Sequence, residues 1–149
     1  MAEADLMKLY SGRILALAAD MPRVGRLDAP EGTARARSPL CGSTVTVDLV
    51  LRDGRIADYR QDVKACALGQ ASAAVVGANI IGRTEEEVRA GRDGLVAMLK
   101  DGGPVPASPW DGFEVLEPAR DYRNRHASIL LAFEATLKAF EDARERANA

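Results

Sequence analysis

The stretch from Cys41 to Cys66, CGSTVTVDLVLRDGRIADYRQDVKAC, decides how the rest of the chain must be arranged. Val45, Val47, Leu49 and Leu51 alternate with Thr44, Thr46, Asp48 and Arg52, the period-two pattern of a strand with one face buried. Ala57, Tyr59, Val63 and Ala65 alternate with Asp58, Arg60, Asp62 and Lys64 in a second strand. Asp53-Gly54 between them is a hairpin signal. A two-residue loop would pair Leu49 with Asp58 and set an apolar face against a charged one. Because a slip of one residue exchanges the faces of a strand, that register is disfavoured. A three-residue loop, Arg52-Asp53-Gly54 with Gly54 left-handed, pairs Leu49 with Ala57 and Val47 with Tyr59. Carried onward, it sets Ser43 opposite Val63 and Cys41 opposite Ala65, which brings Cys41 beside Cys66. No other cysteine occurs in the 149 residues.

On the N-terminal side, Leu6, Tyr10, Ile14, Leu17 and Met21 fall at helical spacing, and Pro22 ends that helix. Residues 22–37 read as an irregular crossing, with a short strand from Ala34 to Ser38 that Pro39 interrupts. On the C-terminal side, Ala67, Gly69, Ala71, Ser72, Ala73, Ala74, Gly77 and Ala78 form a helix of small residues. Glycine there costs helix stability, and close approach of another backbone is the compensating gain. Thr84 and Glu87 spell a capping box that opens a helix running to about Lys100, and Asp101-Gly102-Gly103-Pro104 stops it. Ser108-Pro109-Trp110-Asp111 starts a short helix with Phe113, Val115 and Leu116, in which Trp110 and Phe113 read as core anchors. A last helix carries Leu130, Phe133, Leu137 and Phe140 on one stripe. The class is α+β: a three-stranded antiparallel sheet packed by an N-terminal helix and several C-terminal helices, in one domain over residues 1–149.

Twenty basic against 22 acidic side chains argue against nucleic acid, which asks for a concentrated basic surface. No run approaches the roughly 20 apolar residues of a membrane span. The acidic start, Met1-Ala2-Glu3-Ala4-Asp5, lacks the basic region of a secretory signal, so a reducing, cytoplasmic setting is expected.

Cys66 begins a helix, where the dipole favours a thiolate, and thiolates are ligands for zinc and for iron–sulfur clusters. His126, the lone histidine, opens the last helix. Cys41, Cys66 and His126 together fall one ligand short of closed tetrahedral zinc. From the residues alone, small buried thiols, a disulfide and a metal site all stay open for the cysteines, and a solvated helix-start histidine stays open for His126. Arg120, Arg123 and Arg125 read as a solvated face. No catalytic triad, P-loop or dinucleotide fingerprint is present.

Five pieces recur in a familiar order: Pro22-Arg23-Val24-Gly25, Pro39-Leu40-Cys41-Gly42, the Asp53-Gly54 hairpin, Ala65-Cys66 with its small-residue helix, and His126-Ala127-Ser128-Ile129-Leu130. From about Leu6 to Phe140 the chain resembles the iron–sulfur cluster assembly scaffold family, the IscU, NifU N-terminal domain and SufU group. The long connection from Asp101 to Arg125, without a Leu-Pro-Pro-Val-Lys motif, is closer to the SufU type. The resemblance implies a scaffold or carrier, not an enzyme. It would take iron, zinc or a [2Fe-2S] cluster on Cys41 and Cys66, with His126 as a further metal ligand. It would work with a cysteine desulfurase and apo-protein acceptors. Members of the family usually carry three cysteines and an aspartate. Here the aspartate falls at Ser43, and the third cysteine at Ala127 or Ser128. The resemblance therefore also admits a cluster bridged across a homodimer, a cluster completed by small thiols, a sulfurtransferase taking persulfide on Cys66, and a scaffold-fold partner or regulator of the desulfurase that holds no cluster.

Overall fold

Strands β1 (Gly32–Arg37), β2 (Thr44–Arg52) and β3 (Arg55–Lys64) pair antiparallel in that order. The computed structural model describes residues 12–39 and 41–149. Leu6 and Tyr10 of the first expected helix, and Leu40 of the Pro-Leu-Cys-Gly motif, lie outside them. The remaining elements are α1 (Gly12–Ala19), α2 (Ala67–Asn79), α3 (Glu85–Lys100), a 3-10 helix (Asp111–Asp121) and α4 (Arg123–Ala147).

The hairpin corrects the expected register. Its loop has two residues, Asp53 and Gly54, closed by the pair Arg52 and Arg55. Both carry positive φ, 54° and 76°, the conformation that a tight turn between twisted strands demands. Leu51 then pairs with Ile56 and Val50 with Asp58, so Ala57 is an extra residue on β3. That bulge shifts the strand by one and removes the clash of faces that argued against a two-residue loop. Leu49 lies opposite Tyr59, Val47 opposite Gln61 and Val45 opposite Val63. Gln61 thus shares the inner face with Tyr59, and its Nε2 donates to the carbonyls of Ala73 and Pro22 at 3.0 and 3.1 Å. The crossing segment also contributes to the sheet: Val24 makes a parallel bridge to Gln61.

Helix α4 lies across β1 and β2, and Tyr59 Oη meets Thr136 Oγ1 at 2.8 Å to fasten β3 to it. Tyr59, Phe113, Phe133, Leu68 and Leu116 are fully buried among the layers. Trp110 stands edge-on to Phe133, ring centres 5.1 Å apart, and its Nε1 donates to the carbonyl of Glu87. The anchors expected at Trp110 and Phe113 are therefore core residues. The capping box forms as read: the Glu87 amide donates to Thr84 Oγ1 at 3.2 Å, and the Thr84 amide to Glu87 Oε1 at 3.1 Å.

The strand alternation misplaces one residue. Asp48, read as part of a polar face, has a side chain with no exposure. The crossing folds over that face, and Arg26 Nε and Nη2 donate to the carboxylate at 2.7 and 3.1 Å. The Leu27 amide and Thr33 Oγ1 add 3.0 and 2.6 Å bonds. Burial pushes the Asp48 pKa up, but these donors outweigh it and hold the carboxyl below its ordinary range.

Candidate functional site

The β2–β3 ladder opens beyond Thr44 and Lys64, before either cysteine, so the thiols are not ladder neighbours. Cys41 sits in the connection between β1 and β2. There the Ser38 amide donates to the Ser43 carbonyl at 2.8 Å, and the Gly42 amide to the Ser38 carbonyl at 2.9 Å. Cys66 is the N-cap of α2, in extended conformation. Ser128 comes to the same place from α4.

Hydroxyls join the two sulfurs. Cys41 Sγ lies 3.2 Å from both Ser38 Oγ and Ser43 Oγ. Ser128 Oγ donates to Ser43 Oγ at 3.2 Å, and Cys66 Sγ lies 3.6 Å from Ser128 Oγ. All three serines are buried, whereas Cys41 is exposed and Cys66 half-buried. Of the two positions expected for the third cysteine, Ser128 sets its hydroxyl beside Cys66. Its approach depends on Gly69: a Cβ there would meet Ser128 Oγ at 2.6 Å. The small-residue helix thus brings α4 close, as its composition implied.

The same contacts set the charge state. Hydrogen bonding with Ser38 and Ser43 brings the Cys41 thiol pKa down to about 7. At Cys66, burial favours the neutral thiol. The Gly69 amide, Ser128, the Leu68 amide and Arg125 outweigh it, and the pKa falls below the ordinary thiol value. Near neutral pH Cys41 is therefore partly thiolate, the form that binds soft metals, and Cys66 gives up its proton more readily than an ordinary thiol. Arg125, read as solvated face, belongs instead to the surroundings of Cys66.

His126 is placed differently. Its Nε2 lies 3.1 Å from the Ala119 carbonyl and 3.0 Å from the Arg120 carbonyl. Two acceptors require that this nitrogen carry its hydrogen, which leaves Nδ1 as the ring's only lone pair. The buried ring ties the end of the 3-10 helix to α4. Among the described residues no hydrogen bond joins it to either sulfur, and no group of three or more His, Cys, Asp and Glu side chains is placed to hold a metal ion. Ser38 and Ser43 were out of reach of spacing arguments, since a serine carries no mark of the turn that aims it. No helix of the described residues is long and apolar enough to cross a membrane.

Comparison with known proteins identifies the family and the fold. The profile of the NifU-like N-terminal domain matches residues 9–111. Two iron–sulfur cluster assembly scaffold proteins of Archaeoglobus fulgidus, IscU 1 and IscU 2, are each 25% identical over 92 residues, 61% of this chain and 60% of theirs. IscU of Thermotoga maritima is 31% identical over 80 residues, 54% of this chain and 56% of that one. The matched part thus spans about 60% of the length of these curated relatives. A crystal structure of a NifU-like protein (N-terminal) from Brucella abortus superposes with a TM-score of 0.91 at 46% identity, covering 95% of this chain and 98% of that one. A SufU scaffold protein of the SUF system from Fervidobacterium islandicum shares the fold, with a TM-score of 0.79 at 21% identity over 90% of this chain and 98% of that one. The chain is therefore a member of the NifU-like N-terminal domain family, the group of iron–sulfur cluster scaffold folds.

Proposed function

We propose that this protein is a scaffold or carrier in iron–sulfur cluster assembly, taking iron and sulfur as cargo on Cys41 and Cys66. One observation carries the reading: two thiols from separate segments, both with lowered pKa, meet through a shared set of hydroxyls at one end of the sheet. The family kinship supports it, since the relatives named above are scaffold proteins of cluster assembly. Cys41 and Cys66 supply two thiolates, and His126, committed at Nε2, has only Nδ1 to offer as a third ligand. Serine is a poor ligand for these metals, so Ser43 and Ser128 tune the thiols rather than bind. The remaining ligands come from outside the monomer, from a second copy or a small thiol. A [2Fe-2S] cluster asks for four protein or thiol ligands, and zinc asks for the same number. A cysteine desulfurase as sulfur donor and an apo-protein as recipient complete the reading.

The test is anaerobic reconstitution with iron and sulfide, followed by absorption spectra and metal analysis of wild type, Cys41→Ala and Cys66→Ala. A chromophore that disappears in both variants is the expected result. Equal metal content in wild type and in the double variant overturns the reading.

A further inference from the structure

Beside the thiols runs a groove of about 940 Å³, bounded by the end of β1, the end of α3, the end of the 3-10 helix and the first half of α4. Its charge is unlike that of the chain, whose net charge is −2. Arg37, Lys100, Arg120, Arg123 and Lys138 line it. Arg37, Lys100, Arg123 and Lys138 make no ion pair or side-chain hydrogen bond among the described residues. Arg120 pairs with Glu117, but its Nε is buried without a partner. Two carboxylates also line the groove. Glu134 is taken by Arg92, while Asp121 has no partner among the described residues. Four unpaired cations thus outweigh one unpaired acid. Arg123 is also the first residue of α4, where the helix dipole adds to the attraction for an anion.

The groove passes beside the chemistry. Ser38, part of its wall, has its hydroxyl 3.2 Å from Cys41 Sγ. A ligand lying along the groove therefore has one end at Ser38, the neighbour of the exposed thiol. The volume falls in the range of small-molecule sites, and the apolar floor of Leu99, Leu130 and Leu131 gives it a body to rest on.

We infer that this groove binds a small thiol bearing two or more carboxylates, seated so that its sulfur reaches the Cys41–Cys66 pair. The carboxylates meet Arg37, Lys100, Arg123 and Lys138, and the sulfur supplies a ligand that Ser43 and Ser128 cannot. The anion site needs no metal. Only the role of the incoming sulfur in holding cargo rests on the scaffold reading.

The probe is reduced glutathione, titrated by calorimetry into the metal-free full chain. Binding is expected to weaken about tenfold in the Arg123→Ala/Lys138→Ala double variant, in line with loss of charge-assisted contacts. It should also weaken with added salt and stay unchanged in Arg52→Ala, at the far end of the hairpin. Inorganic phosphate at the same concentration should compete poorly. The proposal is overturned by an affinity unaltered in the double variant, by equal competition from phosphate, or by a hexaglutamate peptide that binds more tightly than glutathione, which would make the groove a protein-docking face. Glutathione binding by the metal-free chain together with failed reconstitution would sink the scaffold reading and leave the groove assignment standing. Cysteine-dependent metal binding without glutathione binding would do the reverse.

Discussion

Two polar clusters, one on β2 and one beyond its start, are built on opposite terms. The one around Asp48 is closed. Its carboxylate accepts from two Arg26 nitrogens, the Leu27 amide and Thr33, and its side chain has no contact with water. The one around Cys41 and Cys66 is open. Two of its three buried hydroxyls, Ser43 and Ser128, bond to each other, and all three lean on two sulfurs, one of which is exposed. The first cluster brings its own countercharge and belongs to folding. The second lowers the cost of a negative sulfur without neutralising it, apart from Arg125 beside Cys66. On the scaffold reading proposed above, the countercharge would come from the cargo.

Mutation can break that contrast. Asp48→Ala leaves the Thr33 hydroxyl and the Leu27 amide without their acceptor, and Arg26, more than half exposed, can recover water. A loss of about 2 kcal/mol in denaturant unfolding is expected, below the full cost of breaking a buried pair. Ser43→Ala should lose less than about 1 kcal/mol, since its partners are a thiol and another hydroxyl. The reverse order would mean that the open cluster is the structural one.

Acid sharpens the same point. The Asp48 pKa is depressed on folding, so its contribution is present above the unfolded carboxylate value, near 4, and is lost as pH falls through the folded one. Asp48→Asn should therefore lose less stability than wild type between neutral pH and pH 3, read as the shift in urea midpoint. A smaller effect is expected at the thiols. Iodoacetamide should alkylate Cys41 with a midpoint at about pH 7, and Ser38→Ala or Ser43→Ala should move that midpoint upward. An unmoved midpoint would remove the hydroxyls from the account. The smallest effect lies outside both clusters. Asp53→Asn suits the positive φ of 54° better and should add a few tenths of a kcal/mol, read as a small rise in melting temperature.

Much of this was legible because local rules decided it. The Thr84–Glu87 box, the Asp53-Gly54 turn and the small residues of α2 each have a physical cause within a few positions. The register was not, because the bulge at Ala57 leaves no trace in an alternation that reads well either way. Asp48 looked like solvent-facing polarity, since period two cannot tell which face another segment will cover. Cys41 and Cys66 are joined through Ser43 and Ser128, from the β1–β2 connection and α4, whose packing no spacing encodes. The groove cations come from four elements and were visible in sequence only as scattered charges.

Gly69 has no chemistry of its own, yet it acts as the gauge between the two helices that frame the sulfurs. A methyl group there would meet Ser128 Oγ at 2.6 Å and Ala65 Cβ at 2.8 Å, so a larger residue must displace them. How near the last helix can come to Cys66 is thus set by a single hydrogen atom on the chain.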